Sequence, residues 1–225
     1  MNAAILACSS LAEFIKAVQA EQNTKFPVYY LDKNYHRSPK LMREQIVNAL
    51  REIPEEYDTI LVAMGFCGGS WENVQADRRI VVPRIDDCYS LLLTTDNNYK
   101  ADRKEPGHIY VKGSDPQQDS IRRIFKKYTK KMKQEDAELI YNAWKDSYDS
   151  FDIIDTGVHD CHSEQYIKEV KADAAWLQAE TKYVRGTTLL LEKLITMKWD
   201  QQFAVIEPGQ IIGRKYYFDS GPSWC

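Results

Sequence analysis

The sequence predicts an α/β fold: a mostly parallel, Rossmann-like sheet flanked by helices, with two similar halves forming a single domain over residues 1–225. Three observations carry that expectation. Apolar runs of strand length alternate with segments whose apolar residues recur at helical spacing, the pattern of repeated βα units. Several of those runs are apolar at nearly every position, as parallel strands buried on both faces require. Each run then ends in a short polar segment, and several of these carry glycine, cysteine or both.

Taken in order, Ala3 to Ala7 reads as the first strand, with Ser9 or Ser10 capping a helix through Leu11, Phe14, Ile15 and Val18. Phe26 to Leu31 is the second strand. After a polar loop, Ser38 and Pro39 supply an N-cap and first helical residue for a helix to Arg51. Thr59 to Met64 is the third strand and Ile80 to Pro83 the fourth, with Asp86 or Asp87 capping a helix from Cys88 to Leu93. Beyond the turn-rich stretch at Pro106 and Gly107, Ile109 to Val111 is a strand. Helices over about Gln117 to Met132 and Glu135 to Ser147 follow as a hairpin. Asp152 runs as a strand into Gly157, a helix from Asp160 or Ser163 extends to Gln178, and Tyr183 to Arg185 is again a strand. A helix over Thr187 to Met197 and a strand over Phe203 to Ile206 precede an irregular tail.

Composition bounds the function. With 44% hydrophobic and 28% charged residues the chain is of ordinary globular type, and a net charge of −3 gives no general attraction to nucleic acid or anionic membrane. The basic stripe of Arg122, Lys126 and Lys130 is accounted for by the solvated back of an amphipathic helix. The start lacks the basic region of a signal peptide. Five cysteines, an odd number in a chain large enough to do without staples, point to a reducing cytoplasm and free thiols.

The thiols sit where a parallel sheet places its ligands, beyond the carboxyl ends of strands. Cys8 follows the first strand and enters a helix. Cys67 lies in Gly65-Phe66-Cys67-Gly68-Gly69, where glycines permit positive φ and close backbone approach. Cys88 falls in the first turn of a helix, where the macrodipole favours thiolate. Arg84 adds a cation nearby, while Asp86 and Asp87 oppose thiolate formation and instead suit a metal, a proton transfer or a cap. His36 and Arg37, at the end of the second strand, come within reach of the same crevice. His159, Cys161 and His162 form a further ligand-rich run, a pattern that also suits a helix start. Cys225 has no strand context and stays outside the site.

Several of these segments together resemble the DUF1638 family: Ala7-Cys8, Gly65-Phe66-Cys67-Gly68, Val82 to Cys88 with Leu91 to Leu93, Pro106-Gly107, Asp155-Thr156-Gly157 and Pro208-Gly209. The resemblance implies an α/β protein of anaerobic archaea and bacteria, often encoded near corrinoid-dependent methyltransferases. It makes Cys8, Cys67 and Cys88 the candidate metal ligands and does not call for His159, Cys161 or His162.

The leading expectation is therefore a zinc or iron–sulfur centre on Cys8, Cys67 and Cys88 with one position open to a small-molecule or methyl-group ligand. Gly65, Gly68 and Gly69 would lend amides to that ligand, and Arg84, Asp86 and Asp87 its charge and proton chemistry. One-carbon metabolism, with a corrinoid protein or methyltransferase as partner, is the setting the resemblance implies. Two other classes remain open: a metal-free accessory protein for such a system, and a thiol redox enzyme using Cys67 and Cys88.

Overall fold

The computed structural model describes residues 2–218, so Cys225 lies outside the described residues. It has the α/β architecture with mostly parallel sheets and flanking helices that the sequence predicts. Two compact units are present, one built from residues up to Arg103 and from Thr187 onward, the other from Lys104–Gly186.

The chain opens with β1 (Ala3–Cys8), α1 (Ala12–Glu21), β2 (Val28–Leu31), α2 (Pro39–Glu52) and β3 (Thr59–Ala63). It continues through β4 (Val74–Gln75), β5 (Arg79–Pro83) and α3 (Cys88–Leu93). The Lys104–Gly186 unit holds β6 (His108–Val111), α4 (Ile121–Thr129), α5 (Gln134–Ser147), β7 (Ser150–Asp155), α6 (Glu164–Leu177) and β8 (Glu180–Arg185). The chain then returns to the first unit with α7 (Leu189–Ile195), β9 (Phe203–Ile206) and β10 (Ile211–Ile212).

In the first unit five of the described strands form a sheet in the order β2-β1-β3-β5-β9, while β4 and β10 pair antiparallel in a separate two-stranded sheet. The first four run parallel and β9 pairs antiparallel with β5 along the edge. All six residues of β1 and all five of β3 are buried, which is why their sequences are continuously apolar instead of alternating. The chain leaves β1 for β2 on one side and then crosses to β3 on the other, so the direction of winding reverses between β1 and β3. Such a reversal opens a crevice at the carboxyl ends of the two strands. Cys8 ends one of them and the Gly65–Gly69 segment follows the other.

Two local expectations are corrected here. Neither Ser9 nor Ser10 caps α1: the Ser9 hydroxyl accepts from the Lys33 amide at 2.9 Å and Ser10 lies against the Cys8 sulfur, so both serve the crevice instead of the helix. The helix expected from Gln117 begins at Ile121, because Asp115 caps a short 3-10 turn over Pro116–Asp119 and Ser120 then caps α4.

The second unit is a three-stranded parallel sheet in the order β6-β7-β8. Phe151, Ile153, Tyr166, Val170 and Leu177 fill its core beneath α6, and Phe125, Tyr141, Trp144 and Trp176 join the hairpin of α4 and α5 to it through tilted and edge-on ring contacts. Asp173, buried in α6, accepts from the Ser120 hydroxyl and the Ile121 amide at 2.9 Å each and pairs with Arg122, which ties the start of α4 down.

Candidate functional site

β1 and β5 are not neighbours in the sheet, since β3 lies between them, yet the thiols beyond their carboxyl ends meet. The Cys8 and Cys88 side chains lie close enough to interact although eighty positions separate them. Cys8 Sγ also lies 3.3 Å from His36 Nε2 and 3.1 Å from Ser10 Oγ. Both thiols are buried, at 0% and 4% exposure. The interaction with Cys88, followed by burial, pushes the Cys8 thiol up from 9.0 to about 12, and the His36 ring draws it back only in part.

What brings Cys88 over is the loop after β5. Asp87 has an extended backbone and its carboxylate accepts from the Tyr89 and Ser90 amides at 3.0 and 2.9 Å, which starts α3 with Cys88 in its first turn. Of the two aspartates expected to cap, Asp87 does so. The Asp86 amide donates to the Ala101 carbonyl at 2.8 Å. Arg84 donates to the Gln201 carbonyl at 3.1 Å and its guanidinium lies 4.0 Å above the Tyr99 ring.

Cys67 is held beside this loop by backbone bonds. Its amide donates to the Asp86 carbonyl at 2.7 Å, and the Phe66 amide to the Ile85 carbonyl at 3.0 Å. That fit depends on Gly65, where a Cβ would stand 2.6 Å from the backbone of Asp86 and Asp87. Cys67 itself has φ 49°, followed by Gly68 at 66° and Gly69 at 95°. A positive φ at a residue with a Cβ costs about 1 kcal/mol or more, and such strain concentrates at functional sites. Cys67 is half-buried, and its charge adds to burial in pushing the Tyr217 hydroxyl far above its ordinary value. Arg43 donates to the Gly69 carbonyl at 2.7 Å and secures the far end of the turn.

Among the described residues, the sulfurs of Cys8, Cys67 and Cys88 are not all within 4.8 Å of one another. The spacing is met elsewhere, by one ligand atom each from Asp155, Cys161 and His162 in the second unit. His162 Nε2 lies 2.8 Å from Asp155 Oδ2, and that bond, with one from the Gly157 amide at 3.1 Å, holds the Asp155 carboxyl below its ordinary range. Burial, then the Asp155 charge, pushes the Cys161 thiol up to about 11. His159 stands apart from this group, with its ring 5.7 Å from that of Tyr166. Ser163 occupies the N-cap position of α6 but makes no side-chain capping bond, while Asp160 accepts from the His162 amide at 3.0 Å in a tight turn.

Three residues at these sites were not singled out by sequence reasoning: Asp155 as a ligand, Ser10 as a thiol partner and Tyr217 beside Cys67. A carboxylate at the last strand position, directly before Thr156-Gly157 and a Cys-His pair, was the available signal for the first.

The family model described as "Protein of unknown function (DUF1638)" matches residues 30–195. The chain belongs to this family. His36, Cys67, Cys88, Asp155, Cys161 and His162 of the DUF1638 chain all fall within the matched segment, and Cys8 precedes it. No curated protein and no solved structure matches the chain. Among the described residues no helix is long and apolar enough to cross a membrane.

Proposed function

We propose that the crevice between β1 and β3 binds a thiophilic metal, zinc or an iron–sulfur cluster, on Cys8, Cys88 and Cys67, with His36 at its mouth. The observation that carries the reading is the meeting of Cys8 and Cys88 at the switch point of a parallel sheet, with a ring nitrogen 3.3 Å from one of them. Two buried thiols with a third on the adjoining loop are the donors such metals select. The Cys67 backbone is tied to the Asp86 carbonyl of the loop that carries Cys88, which keeps the third thiol on the adjoining turn.

When bound, such a centre supplies a Lewis acid with a position free for substrate. The chain's own groups would then divide the remaining work. The Gly68 and Gly69 backbone would approach the ligand, His36 would hold its ring nitrogen beside Cys8, and Asp87 keeps Cys88 in register by capping α3. Arg84, engaged by Gln201 and Tyr99, orients the rim. The family resemblance supplies the setting we propose: one-carbon or methyl-group chemistry, with a corrinoid protein or its methyltransferase as partner.

Anaerobic purification followed by metal and acid-labile sulfide analysis tests the reading. The expected result is bound zinc, or iron with sulfide, whose amount per chain falls by one centre in Cys8→Ser and in Cys88→Ser. A protein that stays metal-free after reconstitution overturns it. If that protein also forms a reversible Cys8–Cys88 disulfide, thiol redox chemistry replaces it.

A further inference from the structure

The second unit contains a ligand cluster that the thiol centre does not use. We propose that Asp155, Cys161 and His162 form a separate binding site for one divalent ion of the zinc class, with an open position facing a groove that accepts a small anion.

Local structure brings the three donors together. Asp155 is the last residue of β7, the central strand of its sheet. Gly157, at φ 74°, turns the chain, and the Asp160 carboxylate, accepting from the His162 amide, folds Cys161 and His162 back onto Asp155. One carboxylate oxygen, one thiol sulfur and one imidazole nitrogen then lie within 4.8 Å of one another. A hydrogen-bonded Asp–His pair explains two of these residues. Cys161 belongs to the same core cluster as Phe151 and Val170, and its sulfur adds a third donor at the point where that pair meets.

The donor set and its surroundings suit zinc. Nitrogen, sulfur and oxygen ligands in a set of three leave the fourth tetrahedral position free, the pattern of reactive rather than structural zinc. Tyr183 provides an outer layer: its ring stacks on His162 at 4.5 Å and 25°, and its hydroxyl donates to the Cys161 carbonyl at 3.3 Å, fixing both ligands from one side chain. Exposure is graded across the cluster, from Cys161 at 0% through the Asp155 side chain at 36% to that of His162 at 58%. The open position therefore lies on the His162 side. There His162 forms the wall of a groove of about 640 Å³ shared with Glu164, Lys168 and Lys171 along α6. Two lysines on one helical face favour a carboxylate or phosphate at the metal's free position. Loading the site releases the Cys161 thiol proton to solvent and transfers no electrons.

The test is anaerobic titration of metal-stripped, full-length protein with Co²⁺, following the sulfur-to-cobalt charge-transfer band and the bound metal per chain. Loss of an outer partner alone costs about 10–100-fold in metal affinity, so loss of a direct ligand is expected to cost at least the upper end of that range. One band is expected to disappear in Cys161→Ser and to weaken at least that much in His162→Ala, while surviving in Cys88→Ser. His162 is exposed, so His162→Ala decides the matter should Cys161→Ser fail to fold. A Co²⁺ spectrum insensitive to His162→Ala overturns the proposal without bearing on the thiol centre, and one abolished entirely by Cys88→Ser overturns it by assigning the bound ion to the thiol centre. Inorganic phosphate is expected to shift the cobalt ligand-field bands in the wild type, and less so in Lys168→Glu/Lys171→Glu. No shift in the wild type rules out the open position.

Discussion

Raising the pH should destabilise this protein through the Cys8 thiol. Cys8 is fully buried, and its partnership with Cys88 raises its pKa in the folded chain from 9.0 to about 12. In the metal-free, reduced protein the folded state therefore keeps a proton that the unfolded chain releases above pH 9. A raised folded-state value means that the stabilisation is fully present below 9.0 and is lost as the pH climbs toward about 12. That difference corresponds to about 4 kcal/mol in all, of which about 2 kcal/mol is lost between about pH 8.5 and about pH 10.5. The assay is urea unfolding across that range, comparing wild type with Cys8→Ala so that the lysines and tyrosines common to both cancel. The stability advantage of the wild type over Cys8→Ala should shrink by about 2 kcal/mol across the window. In Cys88→Ala, which lacks the largest contribution to the shift, the loss should level off at lower pH. Parallel pH profiles for wild type and Cys8→Ala would refute the reasoning.

Two further perturbations probe how the crevice is assembled. Gly65→Ala forces a Cβ to 2.6 Å from the Asp86 and Asp87 backbone, so a loss of about 1–3 kcal/mol and a lower thermal midpoint are expected, with faster alkylation of Cys67 as its loop lifts away; an unchanged midpoint contradicts the close fit. Asp87→Ala removes the acceptor for two amides at the start of α3 and should cost about 1 kcal/mol in denaturant unfolding, while Asp87→Asn retains most of it; equal losses in the two variants would mean that capping is not its role.

The strands that frame the crevice were readable because burial on both faces leaves an apolar run without gaps, as in β1 and β3. The apolar pattern places the start of β8 at Tyr183 whereas the strand starts at Glu180, because its residues are half-exposed or exposed and its first half carries Glu180, Thr181 and Lys182. The two-residue pair β4 and β10 escaped notice, being too short to show any period and joining residues far apart in the chain. The carboxyl-edge position of Cys8, Cys67 and Cys88 followed from strand ends alone. Which thiols touch did not: Cys8 and Cys88 meet across an intervening strand through the geometry of the Asp86–Asp87 loop, and periodicity carries no information about that. In the Lys104–Gly186 unit Cys161 and His162 were legible as part of a ligand-rich run, but Asp155 looks like an ordinary residue before a glycine turn until the turn closes.

X-ray absorption at the metal edge, on protein loaded anaerobically in a His162→Ala background, tests the crevice most directly. The account predicts a sulfur shell at about 2.3 Å that loses a scatterer in Cys88→Ser. A shell of nitrogen and oxygen only, or a sulfur shell indifferent to Cys8 and Cys88, would contradict it.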